Sequence, residues 1–277
     1  MGEPHLAGFE VLDLIAESDH TEVWRARHQI LGTEHALKRL RRFVDPALHD
    51  ALQHEGLLHA RVRHPNVVRL TDVRRDEQGH LVLVMDYVRG MSLADYLDRT
   101  GAPSRGQALK LWRALVRGVR ALHTQRIVHR DLKPENVMLA MEGRTATPKI
   151  MDFGLAKYLE RSDDAEGITI SGAFRLLGTP EYMAPEQAVV AAAVDERADL
   201  FSLGCILYEL LTGRVCFDAE ETREALDAVR GERYVSPEQW VPDLPPHLVR
   251  LVHRLLQADR EQRMASCDDV LDALGTR

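Results

Sequence analysis

Residues His129 to Leu139 read HRDLKPENVML, which sets Asp131, Lys133 and Asn136 within one short segment. These residue types at this spacing suit phosphoryl transfer. A carboxylate can orient an attacking hydroxyl and accept its proton. An ammonium two residues later can neutralise the moving phosphoryl group, and a side-chain amide oxygen can ligate a divalent cation. A second carboxylate follows in KIMDFG, Lys149 to Gly154, where Asp152 leaves an apolar run as a hard oxygen ligand for Mg²⁺. A single Asp, Lys or Asn in a loop is usually a cap or a turn residue; the ordered set is what carries chemistry.

The elements that must hold these groups are legible around them. FEVLDLI, EVWRARH, EHALKRL, VVRLTDV and LVLVMDYV alternate with turns and read as strands. Between the third and fourth, Pro46 suits a first helical turn, Leu48, Leu52 and Glu55 follow at helical spacing, and HPN is expected to end the helix. After Arg89–Gly90 the character changes to helices. Leu109, Trp112, Leu115, Val116, Val119 and Leu122 mark one helical face. ADLFSLGCILYELLTG is apolar nearly all round and reads as a buried helix closed by Gly213. The fold class is therefore α+β: an antiparallel sheet with one helix, then a larger, mostly helical part.

Composition narrows the alternatives. The chain has 277 residues and a formal charge of −7, from 36 basic and 43 acidic side chains, which argues against a nucleic-acid partner. The run KRLRR, Lys38 to Arg42, reads as a solvated strand end. Three cysteines without a C-x-x-C pair fit a reducing compartment, and thirteen histidines without H-E-x-x-H give no zinc motif. The sequence carries no membrane-length apolar run, no signal pattern and no Ser or Thr at the sixth position for myristoylation. A cytoplasmic location is expected.

At the motifs quoted above the chain resembles the eukaryotic-like (Hanks-type) serine/threonine protein kinases, and APEQ with ERADLFSLG looks like bacterial members. The motifs stand in the family's order from Lys38 to Arg263. The resemblance implies a two-lobed kinase domain over 1–277, with an N-lobe of about 9–88 and a C-lobe of about 89–275. It implies Mg-ATP as phosphoryl donor, with Mn²⁺ as a substitute metal, and a protein Ser or Thr hydroxyl as acceptor. Asp131, Lys133 and Thr179 would be catalytic, and Asn136 and Asp152 would hold the metal. Lys38, steadied by Glu55, would bind the α- and β-phosphates. Ile15, Val23, Ala36 and Leu139 would sandwich the adenine, beside Met85 and the backbone of Asp86 and Val88. His129, Phe153, Glu186, Asp199 and Arg263 would be structural: His129 packed beneath Phe153, Asp199 anchoring the catalytic-loop backbone, Arg263 paired with Glu186. Lys133 and Thr179 point to the serine/threonine branch. Thr169 and Ser171 are the expected regulatory phosphosites, received by Arg130 and Lys157, with Ser162 a weaker site. A homodimer for trans-autophosphorylation follows by analogy alone.

One stretch departs from the family. In LIAESDHTEVW, Leu14 to Trp24, the three glycine positions of the phosphate loop hold Ala16, Ser18 and Thr21. If those positions need left-handed backbone, each L-residue costs roughly 1–2 kcal/mol. Glu17, Asp19 and Glu22 would add negative charge near a polyphosphate. On that reading ATP binds weakly, and glycine at all three positions tightens it. The alternatives are a pseudokinase scaffold, favoured by the glycine-free loop, and a small-molecule phosphotransferase, opposed by GTPEYMAPE.

Overall fold

Nine residues of FEVLDLIAE form β1 (Phe9–Glu17), which pairs antiparallel with β2 (Thr21–His28). β3 (Glu34–Leu40), β4 (Leu70–Arg75) and β5 (Leu81–Asp86) complete an antiparallel sheet in the order β1-β2-β3-β5-β4. The computed structural model describes residues 3–18, 20–41, 46–143, 145–152, 180–188, 194–218 and 222–275. These divide into two compact units: one holds 3–64 and 68–89, the other 65–67, 90–152 and the described residues from 180 onward.

In the first unit, helix α1 (Pro46–His59) packs on β3, β4 and β5. Leu52 on α1 joins Leu40, Leu81 and Leu83 in one apolar cluster. Leu6, Ala26, Leu37, Val82 and Val84 form another. The sequence places the end of α1 at HPN, but it stops five residues earlier. Its last turn tightens, with Arg61 N donating to Leu58 O (3.1 Å) and Val62 N to His59 O (3.1 Å). Val62 is thereby turned inward to 3% exposure, so burial of that side chain ends the helix before the proline can. KRLRR also differs from expectation: Lys38, Arg39 and Leu40 are buried, because β3 is a central strand and both cations have buried carboxylate partners.

The second unit begins with β6 (Gly90–Ser92), which joins β7 (Val137–Glu142) and β8 (Thr145–Ile150) in a small antiparallel sheet. Helix α2 (Leu93–Thr100) is capped by Ser92, and α3 (Arg105–Thr124) by a Ser104–Gln107 capping box. The buried face of α3 contains Ala108 in place of the expected Leu109, with Leu111, Trp112, Leu115, Val116, Val119 and Leu122. Trp112 Nε1 donates to Leu203 O at 2.8 Å. That carbonyl belongs to α4 (Arg197–Thr212), which is buried along nearly its whole length and ends at Gly213 in left-handed geometry, φ 70°. Gly204 lets α4 meet α6 (Pro246–Leu255) closely, since a Cβ there would sit 2.7 Å from Leu255 Cβ. α5 (Thr222–Arg230) and α7 (Cys267–Ala273) complete the described helices. Among the described residues, no helix is long and apolar enough to cross a membrane.

Candidate active site

The loop between α3 and β7 is held from below by one buried carboxylate. Asp199, in the first turn of α4, is fully buried and accepts from His129 N (2.8 Å) and Arg130 N (2.7 Å). His123 Nε2 completes it at 2.8 Å. Burial alone would raise this carboxyl's pKa, but hydrogen bonding and charge from His123, with charge from His129 and the Arg130 amide, outweigh it and hold the pKa below the ordinary value. His129 is likewise buried. Its Nδ1 accepts from Asp131 N (3.3 Å), so Nε2 is the donor to Met151 O (3.0 Å). This ties the loop to the strand exit that carries Asp152.

Asp131 is thereby presented on a fixed backbone. Asn136 Nδ2 donates to both Asp131 O (2.7 Å) and Asp131 Oδ2 (2.8 Å). Lys133 Nζ lies 3.7 Å from Asp131 Oδ1. Asn136 O accepts from Met151 N at 3.0 Å, which holds Asn136 next in space to the segment of Asp152. Asp152 has φ 58°, a left-handed conformation that costs a non-glycine residue of order 1–3 kcal/mol and clusters at functional sites. With its nitrogen turned to Asp131, Asn136 presents a carbonyl oxygen, and Asp152 a carboxylate. Mg²⁺ takes one or two such protein oxygens and completes its shell with water and phosphate, so this donor set fits it. Among the described residues there is no cluster of three or more metal-ligating side chains of the His, Cys, Asp and Glu type.

In the first unit, Lys38 Nζ donates to Glu55 Oε1 (2.9 Å) and Oε2 (3.3 Å). Val23 is the register partner of Lys38, and Ala36 of Met85. Ile15 falls at a register shift in β1 and is 40% exposed, while Met85 and Val88 are buried. The Asp86 N–H donates to Arg69 O (2.9 Å), so that amide already has a partner. Leu139 lies fully buried on β7 in the second unit.

The hairpin that joins β1 and β2 corrects two expectations. Ala16, Ser18 and Thr21 are absent from the positive-φ residues, which among described non-glycines are Arg126, Arg130, Asp152 and Glu232. The left-handed strain expected at these positions is therefore not there, and the case for weak ATP binding built on it falls. The turn is closed by a backbone bond from Ser18 N to Thr21 O (2.8 Å) and by side chains: Ser18 Oγ accepts from Thr21 N (3.1 Å) and lies 2.9 Å from Thr21 Oγ1. Glu22 does not project charge toward a ligand either. It is 3% exposed and paired with Arg39.

Glu186 Oε1 and Oε2 accept from Arg263 NH1 (2.7 Å) and NH2 (3.0 Å). Gln187 Nε2 donates to Arg130 O at 2.8 Å, so this segment also braces the loop that carries Asp131. Phe153, Lys157, Ser162, Thr169, Ser171 and Thr179 lie outside the described residues, and so does the expected packing of His129 beneath Phe153.

Sequence reasoning missed a third brace. Tyr182 Oη donates to Glu209 Oε2 at 2.5 Å. Burial first, with Glu135 and Asp98 adding repulsion, pushes the Glu209 carboxyl up to about 7 despite that bond. The only sequence signal was a Glu near the end of a helix that is apolar along most of its length. Since this folded pKa lies above the unfolded value of 4.5, its stabilising contribution is complete below 4.5 and is lost as pH rises through about 7. Glu209→Gln keeps an acceptor for Tyr182 and removes the titration. Melting scans at pH 6 and pH 8 are expected to show a smaller loss for the variant and, at pH 8, a higher Tm than the parent, equivalent to at most about 3 kcal/mol of stability. An unchanged pH difference would place the titration elsewhere.

A sequence model described as protein kinase domain matches residues 9–273. The chain is 37% identical over 271 residues to serine/threonine-protein kinase pkn2 of Myxococcus xanthus, covering 96% of this chain and 32% of that protein. It is 33% identical to pkn3 of the same organism, over 94% of this chain and 48% of the relative. With serine/threonine-protein kinase PrkC of Bacillus subtilis it shares 30% identity over 95% of this chain and 39% of the relative. The chain thus spans about a third to a half of the length of these relatives. A family match over nearly the full length, on a fold that carries Lys38–Glu55 in one unit and an Asp199-anchored Asp131 loop in the other, has one reading: the chain belongs to the protein kinase domain family.

Proposed function

We propose that the chain is a serine/threonine protein kinase that transfers the γ-phosphoryl group of Mg-ATP to a hydroxyl of a protein. The observation that carries this is the Asp131–Asn136 arrangement, in which one amide group holds both the backbone carbonyl and a carboxylate oxygen of Asp131. In the proposed step the substrate oxygen bonds to the γ-phosphorus as the γ-phosphorus–oxygen bond to ADP breaks. The hydroxyl proton goes to Asp131, and Lys133 offsets charge on the phosphoryl oxygens. Magnesium, held by Asn136 and Asp152, would supply charge neutralisation at the phosphates. Lys38, oriented by Glu55, would bind the α- and β-phosphates. Serine/threonine preference rests on the names of the relatives and on Lys133.

Radiolabelled ATP with the parent and with Asp131→Asn tests the reading. The parent is expected to label itself or a generic substrate. The variant keeps the shape of the loop but loses the proton acceptor, so its rate is expected to fall by about 10²–10⁴-fold. Its thermal shift with Mg-ATP should stay at the parental value. No labelling by the parent, with a normal Mg-ATP shift, would favour a nucleotide-binding scaffold.

A further inference from the structure

The residue that follows Lys38 is also a buried cation, and the reading above gives it no role. Arg39 Nε pairs with Glu22, its register partner on β2. Arg39 NH1 donates to Asp76 Oδ2 at 3.0 Å. The side chains of Arg39, Glu22 and Asp76 are 3%, 5% and 0% exposed. Asp76 also accepts from Gln78 N (3.0 Å) and His80 N (2.8 Å), and lies 3.1 Å from His80 Nδ1. A continuous buried chain of charge therefore runs from the end of the β1–β2 hairpin, across β3, to the β4–β5 turn. A second tie lies at the surface: Arg41 NH1 donates to Ser18 O (3.0 Å) and Arg41 N to His20 O (2.8 Å).

Successive residues of a strand face opposite sides of the sheet. β3 therefore carries two adjacent cations on opposite faces, Lys38 matched by Glu55 and Arg39 by Glu22 and Asp76. Buried ion pairs are poor sources of net stability, because apolar residues of similar volume often do as well, while they can fix one arrangement over others. A glycine-rich loop reaches its phosphate-binding form by being compliant. This hairpin has no glycine, closes on its own hydroxyls and is latched to β3 at both depths.

We infer that Arg39 is a positioning residue for the nucleotide. By gripping Glu22 and Asp76 it holds the hairpin and β3 in one register, so that the hairpin amides and Lys38 are preset for a polyphosphate. This rests on the nucleotide-binding reading proposed above. A preset site loses less freedom on binding, so loosening the latch should appear in ATP affinity.

The test compares the parent with Arg39→Lys, which keeps the charge and loses the fork, and with the triple variant Arg39→Met, Glu22→Gln, Asp76→Asn, which strands no charge. A second triple variant places glycine at positions 16, 18 and 21. Amide exchange over residues 17–22, the Mg-ATP thermal shift, and KM and kcat are read for each. All three are expected to exchange faster in the hairpin and to raise the KM for ATP by about tenfold, with kcat near parental. Faster exchange with unchanged KM would overturn the inference while leaving the nucleotide reading intact. KM and kcat lost together with Tm would make the latch merely structural, and Arg39→Lys decides this if the triple variant does not fold. A parent that gives no shift with Mg-ATP would remove the nucleotide reading itself. Tighter ATP binding by the glycine variant would also overturn the inference.

Discussion

Asp199→Ala is expected to lower Tm by roughly 10 °C and to cut kcat by at least about 10²-fold in whatever molecules remain folded. Three donors converge on this carboxylate: His129 N, Arg130 N and His123 Nε2, all within 2.8 Å. Alanine leaves one buried and one part-buried amide without an acceptor, at about 1–3 kcal/mol each, and removes the acceptor of His123 Nε2. The loss of roughly 3–5 kcal/mol is large beside a typical total of about 5–15. Asp199→Asn should fall between parent and alanine. The two amides use different oxygens, Oδ2 and Oδ1, so an amide side chain satisfies one and turns its NH₂ toward the other. The depressed pKa adds a sign: the stability that Asp199 contributes is complete above the unfolded value of 3.8 and is lost as pH falls below it. The deficit of either variant should therefore be full at pH 7 and shrink in acid. Calorimetric scans at pH 7 and pH 3 check this, since only the second lies below the unfolded value of 3.8. Equal Tm for parent and alanine variant at pH 7 would show that the loop does not depend on this anchor.

The sequence reveals these structures unequally. Residues close in the chain with distinctive chemistry were readable: Asp131, Lys133 and Asn136 sit within six positions of one another, and their geometry is mostly local backbone. Helix α4 was readable because a helix apolar on all sides has to be buried. What could not be read was pairing across the sheet. Glu22 and Arg39 are 17 residues apart, and Arg39 and Asp76 are 37 apart. A charge run such as KRLRR therefore looks solvated until its register partners are known. The hairpin misled for a related reason. Counting missing glycines assumes that their positions require left-handed backbone, whereas Ala16, Ser18 and Thr21 all stand outside it, with Ser18 and Thr21 bonded to each other. Glu209 and Tyr182, 27 residues apart, are a third case in which only the fold creates the contact.

Lys38→Met is expected to destabilise the chain as well as to disable it. Lys38 and Glu55 side chains are 5% and 2% exposed, with Nζ 2.9 Å from Oε1. Breaking a buried pair from one side costs about 3–5 kcal/mol, because the remaining charge stays out of water. Removing both charges costs much less. Urea unfolding of Lys38→Met, Glu55→Gln and the double variant Lys38→Met, Glu55→Gln separates the two effects. The single lysine variant should lose roughly 3–5 kcal/mol, and the double variant should regain most of it. Activity should behave differently. On the proposed role of Lys38, the double variant restores the fold without restoring a cation for the phosphates, so it should remain as inactive as Lys38→Met and give the same reduced shift with Mg-ATP. A double variant as unstable as the single one would mean that Lys38 is held by its aliphatic stem and not by its charge. A double variant with recovered activity would remove Lys38 from phosphate binding altogether.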